Sequence, residues 1–123
     1  MLTLLLVAFS LAHAAPATKT LTFSDSGKTV TLAAHQKLEI KLDECGSCGY
    51  HWETAVKPDP KVLKRGPVGH ENAGCEPPCV GGSGTTIFRY AGRASGRTTL
   101  RLEYFGPGKS APAKTFRLTV RVR

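Results

Sequence analysis

Beyond Pro16, hydrophobic residues return at every second position along most of the chain. Val30 and Leu32 open one such run. Leu38, Ile40 and Leu42 alternate with Glu39 and Lys41 in the next. Tyr50, Trp52, Thr54 and Val56 share one parity, and His51 and Glu53 take the other. Phe88 and Tyr90 flank Arg89, and Leu100, Leu102 and Tyr104 flank Arg101 and Glu103. Phe116, Leu118, Val120 and Val122 alternate with Arg117, Thr119, Arg121 and Arg123. Period two places successive side chains on opposite faces of a strand, so each run predicts one face in a core and one in water. Ser24-Asp25-Ser26-Gly27 predicts a turn, and residues 57–60 break a strand. Residues 67–84, with five Gly and three Pro, read as one long irregular stretch. Six or seven short strands without helical periodicity predict an all-β sandwich or barrel.

The first residues depart from this pattern. MLTLLLVAFSL is an apolar run of about the length of a signal-peptide core. Ala12-His13-Ala14 then supplies small residues for cleavage after Ala14. The expected organisation is therefore a signal peptide over residues 1–14 and one β-sandwich domain over 15–123. That organisation implies a secreted or periplasmic protein. No run reaches the roughly 18 apolar residues of a membrane span. A single domain of this size also leaves no room for a two-domain cofactor enzyme.

The chain of 123 residues carries 17 Lys+Arg against 9 Asp+Glu, a formal charge of +8. The excess lies entirely after Thr85, where nine basic residues face one acid, Glu103. Arg89, Arg101, Arg117, Arg121 and Arg123 all fall on the outward parity of their strands. Outward Arg keeps a sheet in solution and discourages edge pairing. An anion-binding face is the alternative, but no stacking aromatics are interleaved with these Arg residues, so nucleic acid is not an expected partner.

Four cysteines stand as Cys45-Gly46-Ser47-Cys48 and as Cys75 and Cys79. An even count in a small exported chain reads first as two disulfides. Three pairings are possible and spacing does not choose among them. Crossed pairing closes loops of about 30 residues, contributing roughly 3–4 kcal/mol each in the chain-entropy model, against about 2 kcal/mol for local pairing. A four-thiolate zinc site and a redox-active CxxC are the minor alternatives. A redox pair needs its first thiol at a helix start, whereas Cys48 is expected to run into a strand.

Catalytic templates fit poorly. Gly81-Gly82-Ser83-Gly84-Thr85 approaches a nucleophile elbow but closes on Thr85 in place of Gly, ahead of a strand and not a helix. His35, His51 and His70 are scattered, and no phosphate-cradling motif is present. No enzyme and no cofactor are expected. Three small-residue loops remain, 46–49, 81–85 and 106–110, each beside a strongly alternating strand. Small side chains let a partner approach the backbone closely, and a disulfide holds a loop rigid, reducing the ordering entropy lost on binding.

At these loops the sequence resembles chagasin and its bacterial relatives, secreted inhibitors of papain-like cysteine proteases. The family pattern Asn-Pro-Thr-Thr-Gly-Phe/Tyr-x-Trp corresponds to Cys45, Gly46, Ser47, Cys48, Gly49, Tyr50, His51 and Trp52. Gly49, Tyr50 and Trp52 match, Ser47 nearly so, and Cys45, Gly46 and Cys48 depart. The second family loop, Gly-x-Gly-Gly-Thr, corresponds to Gly81, Gly82, Ser83, Gly84 and Thr85, with Phe88 in register. The third, Tyr-x-Arg-Pro-Trp, corresponds to Tyr104, Phe105, Gly106, Pro107 and Gly108, where Gly replaces both Arg and Trp. Order and spacing agree from about Thr20 to Arg123.

The resemblance implies an immunoglobulin-like β-sandwich of about seven strands, acting as a monomer. It also implies that residues 45–50 sit over the catalytic cysteine of a papain-like protease, gripped on either side by 81–85 and 104–110. Inhibition would be reversible occlusion of the cleft. A Trp in such a clamp is commonly worth 2 kcal/mol or more, so Gly108 implies weaker binding, by roughly 30- to 1000-fold for a loss of 2–4 kcal/mol. A non-inhibitory secreted binding module on the same sandwich is the alternative function.

Overall fold

Nine strand segments form two facing sheets in the computed structural model, which describes residues 16–72 and 84–123. The expected leader, Cys75, Cys79, Gly81, Gly82 and Ser83 lie outside the described residues. The strands are β1 (Lys19–Leu21), β2 (Thr29–Leu32), β3 (Lys37–Glu44), β4 (His51–Val56), β5 (Leu63–Arg65), β6 (Gly69–Asn72), β7 (Gly84–Gly92), β8 (Gly96–Phe105) and β9 (Lys114–Val122). One sheet runs β1-β3-β7-β5, with β6 also on β7; the other runs β2-β9-β8-β4. The architecture is the immunoglobulin-like β-sandwich.

The alternating runs form the core as their parity requires. Leu38, Ile40, Leu42, Phe88 and Tyr90 face inward from the first sheet. Leu100, Leu102, Tyr104, Phe116, Leu118, Val120 and Val122 meet them from the second. Each large apolar side chain fully buried this way contributes on the order of 1.5–3 kcal/mol. Outward Arg residues find acids where the register offers them. Arg89 and Glu39 are cross-strand neighbours with Nε and Oε1 3.7 Å apart, and Arg101 Nε lies 3.6 Å from Glu103 Oε1. Arg117, Arg121 and Arg123 are exposed.

The structure departs from the sequence expectation in three places. The stretch after Pro67 is not wholly irregular: Gly69–Asn72 pairs antiparallel with β7, and β5 pairs further along the same edge. These short segments, with the three residues of β1, raise the strand count above seven. Val56 does not share the buried face of Trp52. The β4–β8 register shifts between Thr54 and Val56, and this bulge leaves Val56 37% exposed. Finally, Cys48 does not run into a strand; it closes a separate turn three residues before β4.

Candidate functional site: a braced loop end

Strand ends from both sheets gather at one end of the sandwich. Glu44, the last residue of β3, pairs with Gly84, the first of β7, and Asn72 at the end of β6 pairs with Gly84 from the other side. In the second sheet, His51 opening β4 pairs with Phe105 closing β8, and Lys114 opening β9 pairs with Tyr104. The connections 45–50 and 106–113 therefore leave the same end, and the strand ends flanking 73–83 lie there too.

The first loop is built to hold one shape. Gly46–Cys48 make a single 3-10 turn, and Cys45 and Cys48 are joined across it by a disulfide, their Cα atoms 5.2 Å apart. Of the three pairings open to the sequence, this bond excludes the two crossed ones. The backbone closes the same turn independently. The amides of Cys48 and Tyr50 both donate to Cys45 O at 3.1 Å, and that of Gly49 donates to Gly46 O at 3.0 Å. Gly49 adopts φ +82°, a left-handed conformation that favours glycine. A Cβ at Gly49 would stand 3.1 Å from Pro107 Cγ, so the missing side chain lets the first loop lie directly on the third.

Aromatic side chains support this contact from below. Gly106 is buried, and a Cβ there would meet the Tyr50 ring at 3.1 Å. Tyr50 stacks on Tyr104 with ring centroids 5.1 Å apart, and Trp52 tilts against Tyr104 at 4.8 Å. Such pairs contribute roughly 0.5–1.5 kcal/mol beyond their buried area. Hydrogen bonds then tie the sheets together. Cys45 N donates to Tyr104 Oη at 2.8 Å, Trp52 Nε1 donates to Asp43 O at 2.9 Å, and Trp52 N donates to Glu44 Oε1 at 3.1 Å.

The residues picked out from the sequence thus divide into two kinds. Gly46, Ser47, Cys48, Gly49, Pro107 and Gly108 are exposed, while Trp52, Tyr104 and Gly106 lie buried beneath them. Cys45, Tyr50, Phe105, Gly84 and Thr85 are half-buried. Gly84 and Thr85 open β7 beside the first loop, across a cleft of about 290 Å³ lined by Glu44, Gly46, Ser47, His70 and Glu71 as well.

Glu44 was not legible as part of this site. Its second oxygen, Oε2, lies 3.6 Å from His70 Nδ1, so one carboxylate links β3, β4 and β6. The one hint is that the alternation of β3 ends at Leu42, which frees the following acids from strand parity. His70 and Glu71 offered no signal, because β6 has no apolar alternation. With Cys45 and Cys48 bonded to each other, neither thiolate is free to hold the zinc that the CxxC spacing left open.

A β-sandwich with loops locked against one another at one end presents those loops as its candidate contact surface. Residues 31–120 match the model of the chagasin family peptidase inhibitor I42, and the chain belongs to this family, whose members are inhibitors and not enzymes. The fold is similar to the crystal structure of the cysteine protease inhibitor EhICP2 from Entamoeba histolytica, with a TM-score of 0.75 at 19% identity. That likeness covers 87% of this chain and 96% of the other. The solution structure of amebosin is similar at a TM-score of 0.70 and 25% identity, over 88% of this chain and 99% of that one. PbICP-C, solved in complex with falcipain-2, gives 0.60 at 17% identity, over 87% and 92% of the two chains. No match was found among curated proteins.

Proposed function

We propose that this chain is exported after loss of residues 1–14 and, as a monomer, reversibly occludes the active-site cleft of a papain-like cysteine protease. The observation that carries this reading is the lock between the first and third loops, Gly49 on Pro107 and Tyr50 over Gly106. A competitor for a substrate cleft must present its backbone without being threaded as a substrate. Here the disulfide, the three backbone hydrogen bonds and the aromatic pillar fix residues 45–50 before any partner arrives, so little ordering entropy is lost on binding. The 45–50 tip occupies the centre, Thr85 and the segment before it take one flank, and residues 104–110 take the other.

The oxidised mature protein, assayed at about 10 μM against a panel of papain-like proteases, is expected to inhibit at least one of them, a Kd at or below the micromolar range. Inhibition of none sinks the proposal.

One observation favours the second reading, a binding module for another ligand. Gly108 stands exposed with φ +66° and presents no side chain where the family's pattern has Trp. Affinity capture with the oxidised protein separates the two readings. Recovery of a cysteine protease supports the first, and reproducible recovery of a different, loop-dependent partner supports the second.

A further inference from the structure

Resting on the proposed function, we propose that the Cys45–Cys48 disulfide is a reactive group in its own right. The catalytic thiolate of the bound protease exchanges with it, and the two proteins become joined through a mixed disulfide. The bond lies in the exposed 3-10 turn at the tip of the first loop, the segment placed over the protease's cysteine. Cys48 is exposed and Cys45 half-buried, so an incoming sulfur reaches Cys48 Sγ first. The turn is held by more than this bond. The hydrogen bonds of the Cys48, Gly49 and Tyr50 amides, and that of the Cys45 amide to Tyr104 Oη, involve neither sulfur.

The step balances without any outside oxidant or reductant. The protease thiolate attacks Cys48 Sγ along the line of the existing bond and forms a new S–S bond. The Cys45–Cys48 bond breaks, and its electron pair leaves on Cys45 Sγ as a thiolate. Ser47 Oγ, 3.8 Å from that sulfur, is placed to donate a hydrogen bond to the charge that appears there. One thiolate is consumed and one is released.

A papain-type catalytic cysteine has a pKa of about 3–4 and is already ionised at neutral pH. A thiolate of such low pKa is a weak nucleophile, so exchange in free solution is slow. Holding the two sulfurs together in the occluded cleft supplies the missing rate through proximity. The Cys45 thiolate remains beside the mixed disulfide and can reverse the step. An exported protein meets its target with the bond formed, since oxidising compartments preserve disulfides.

The test mixes the oxidised protein with a papain-like protease that has been activated by reductant and then freed of it by gel filtration. Expected is a one-to-one adduct on non-reducing gels, with an intact mass equal to the sum of the two proteins. Dithiothreitol should cleave it, and iodoacetamide should label one new thiol, at Cys45. A protease with its catalytic cysteine changed to Ala should bind and form no adduct. The Cys45→Ser/Cys48→Ser double variant should form no adduct, and any protease it holds should be released at once on dilution, whereas the wild-type complex should release slowly on dilution and at once with dithiothreitol.

Binding to the Ala variant, with no adduct from the active protease and the Cys45–Cys48 bond intact by mass, overturns the exchange and leaves occlusion standing. Labelling at Cys48 in place of Cys45 overturns the choice of attacked sulfur. Glutathione forming its adduct within about tenfold of the protease's rate overturns a protease-directed reaction, because proximity then contributes nothing. If the Ala variant is not bound and the active protease is not inhibited, occlusion itself fails and the exchange falls with it.

Discussion

The backbone amide of Cys45 donates to Tyr104 Oη at 2.8 Å, so a loop leaving the first sheet hangs from a phenol anchored in the second. The same ring carries Tyr50 and Trp52 against it at 5.1 and 4.8 Å. Tyr104→Phe keeps the ring and both stacks but leaves a half-buried amide without its acceptor. A lost partner of this kind costs about 1–3 kcal/mol. Urea unfolding should show a lower midpoint with an unchanged slope. Protease inhibition should weaken by more than Tyr50→Phe weakens it, because the Tyr104 hydroxyl holds the Cys45 amide whereas the Tyr50 hydroxyl makes no hydrogen bond among the described residues.

Tyr90 carries the opposite case, a buried phenol with no hydrogen-bond partner among the described residues. Burial pushes it up to about 12, with the nearby positive charge of Arg65 pulling back slightly. The unfolded phenol ionises near 10. Between about pH 10 and 12 the unfolded chain has lost a proton that the folded chain retains, so stability falls as pH rises, by up to roughly 2–3 kcal/mol. Below pH 10 this contribution is fully present. Tyr90→Phe should remove that part of the alkaline slope, and at pH 7 it should be neutral or stabilising by up to about 1 kcal/mol. Urea midpoints at pH 7, 10 and 11.5 check both. A clear loss of stability at pH 7 contradicts the unpartnered hydroxyl.

What the sequence revealed and what it hid both follow from parity. Leu38, Ile40, Leu42, Phe116, Leu118 and Val120 alternate with charged or polar neighbours, and burying one set dictates both the strand and its face. Their strands could be read one at a time. Gly69–Asn72 could not, because Gly-His-Glu-Asn has no apolar face; its pairing is imposed by the open edge of β7. Val56 was placed inside by counting from Trp52, and one bulge, invisible to a count, puts it outside. The loop residues were recognisable as small or aromatic, but their partners were not. Gly49 on Pro107 and Gly106 under Tyr50 join positions far apart in the chain, and no local pattern encodes such contacts. The disulfide pairing was hidden for the same reason.

Asp25 closes the turn after β1 by accepting from Thr22 N at 2.9 Å and from Lys28 Nζ at 3.1 Å. The Thr22 amide first, and Lys28 second, hold its carboxyl below the ordinary 3.8. A carboxyl depressed by folding stabilises the fold above its unfolded value, and the contribution is lost as pH falls through the lower folded value. Asp25→Asn should therefore be less stable than wild type at pH 6, by about 0.5–1.5 kcal/mol for a capping acid. The gap should close as pH falls below the ordinary 3.8 and through the lowered range of the folded carboxyl. Thermal melts at pH 6, 4 and 2.5 test it, and a gap that stays constant across them rejects the carboxylate's role.

Gly46 and Gly49 lie three residues apart in the same loop, yet substitution should affect them in different ways. Gly46 is exposed, and a Cβ there meets nothing within 4 Å. Gly46→Arg should leave thermal stability within about 0.5 kcal/mol of wild type, as surface changes generally do. It should also abolish inhibition, because a long charged side chain then projects from the tip that occupies the cleft. Gly49 combines φ +82° with Pro107 Cγ 3.1 Å from where a Cβ would sit, so even Gly49→Ala meets backbone strain and a neighbour together. It should lose roughly 1–2 kcal/mol through the left-handed conformation alone, and it should loosen the joint between the first and third loops. Inhibition by Gly49→Ala should weaken partially, through a faster off-rate, and should not vanish. Thermal denaturation beside inhibition kinetics separates the two. An inhibitory, stable Gly46→Arg protein removes residues 45–50 from the contact surface, and a Gly49→Ala protein as stable as wild type removes the locked joint from the account of why the tip is rigid.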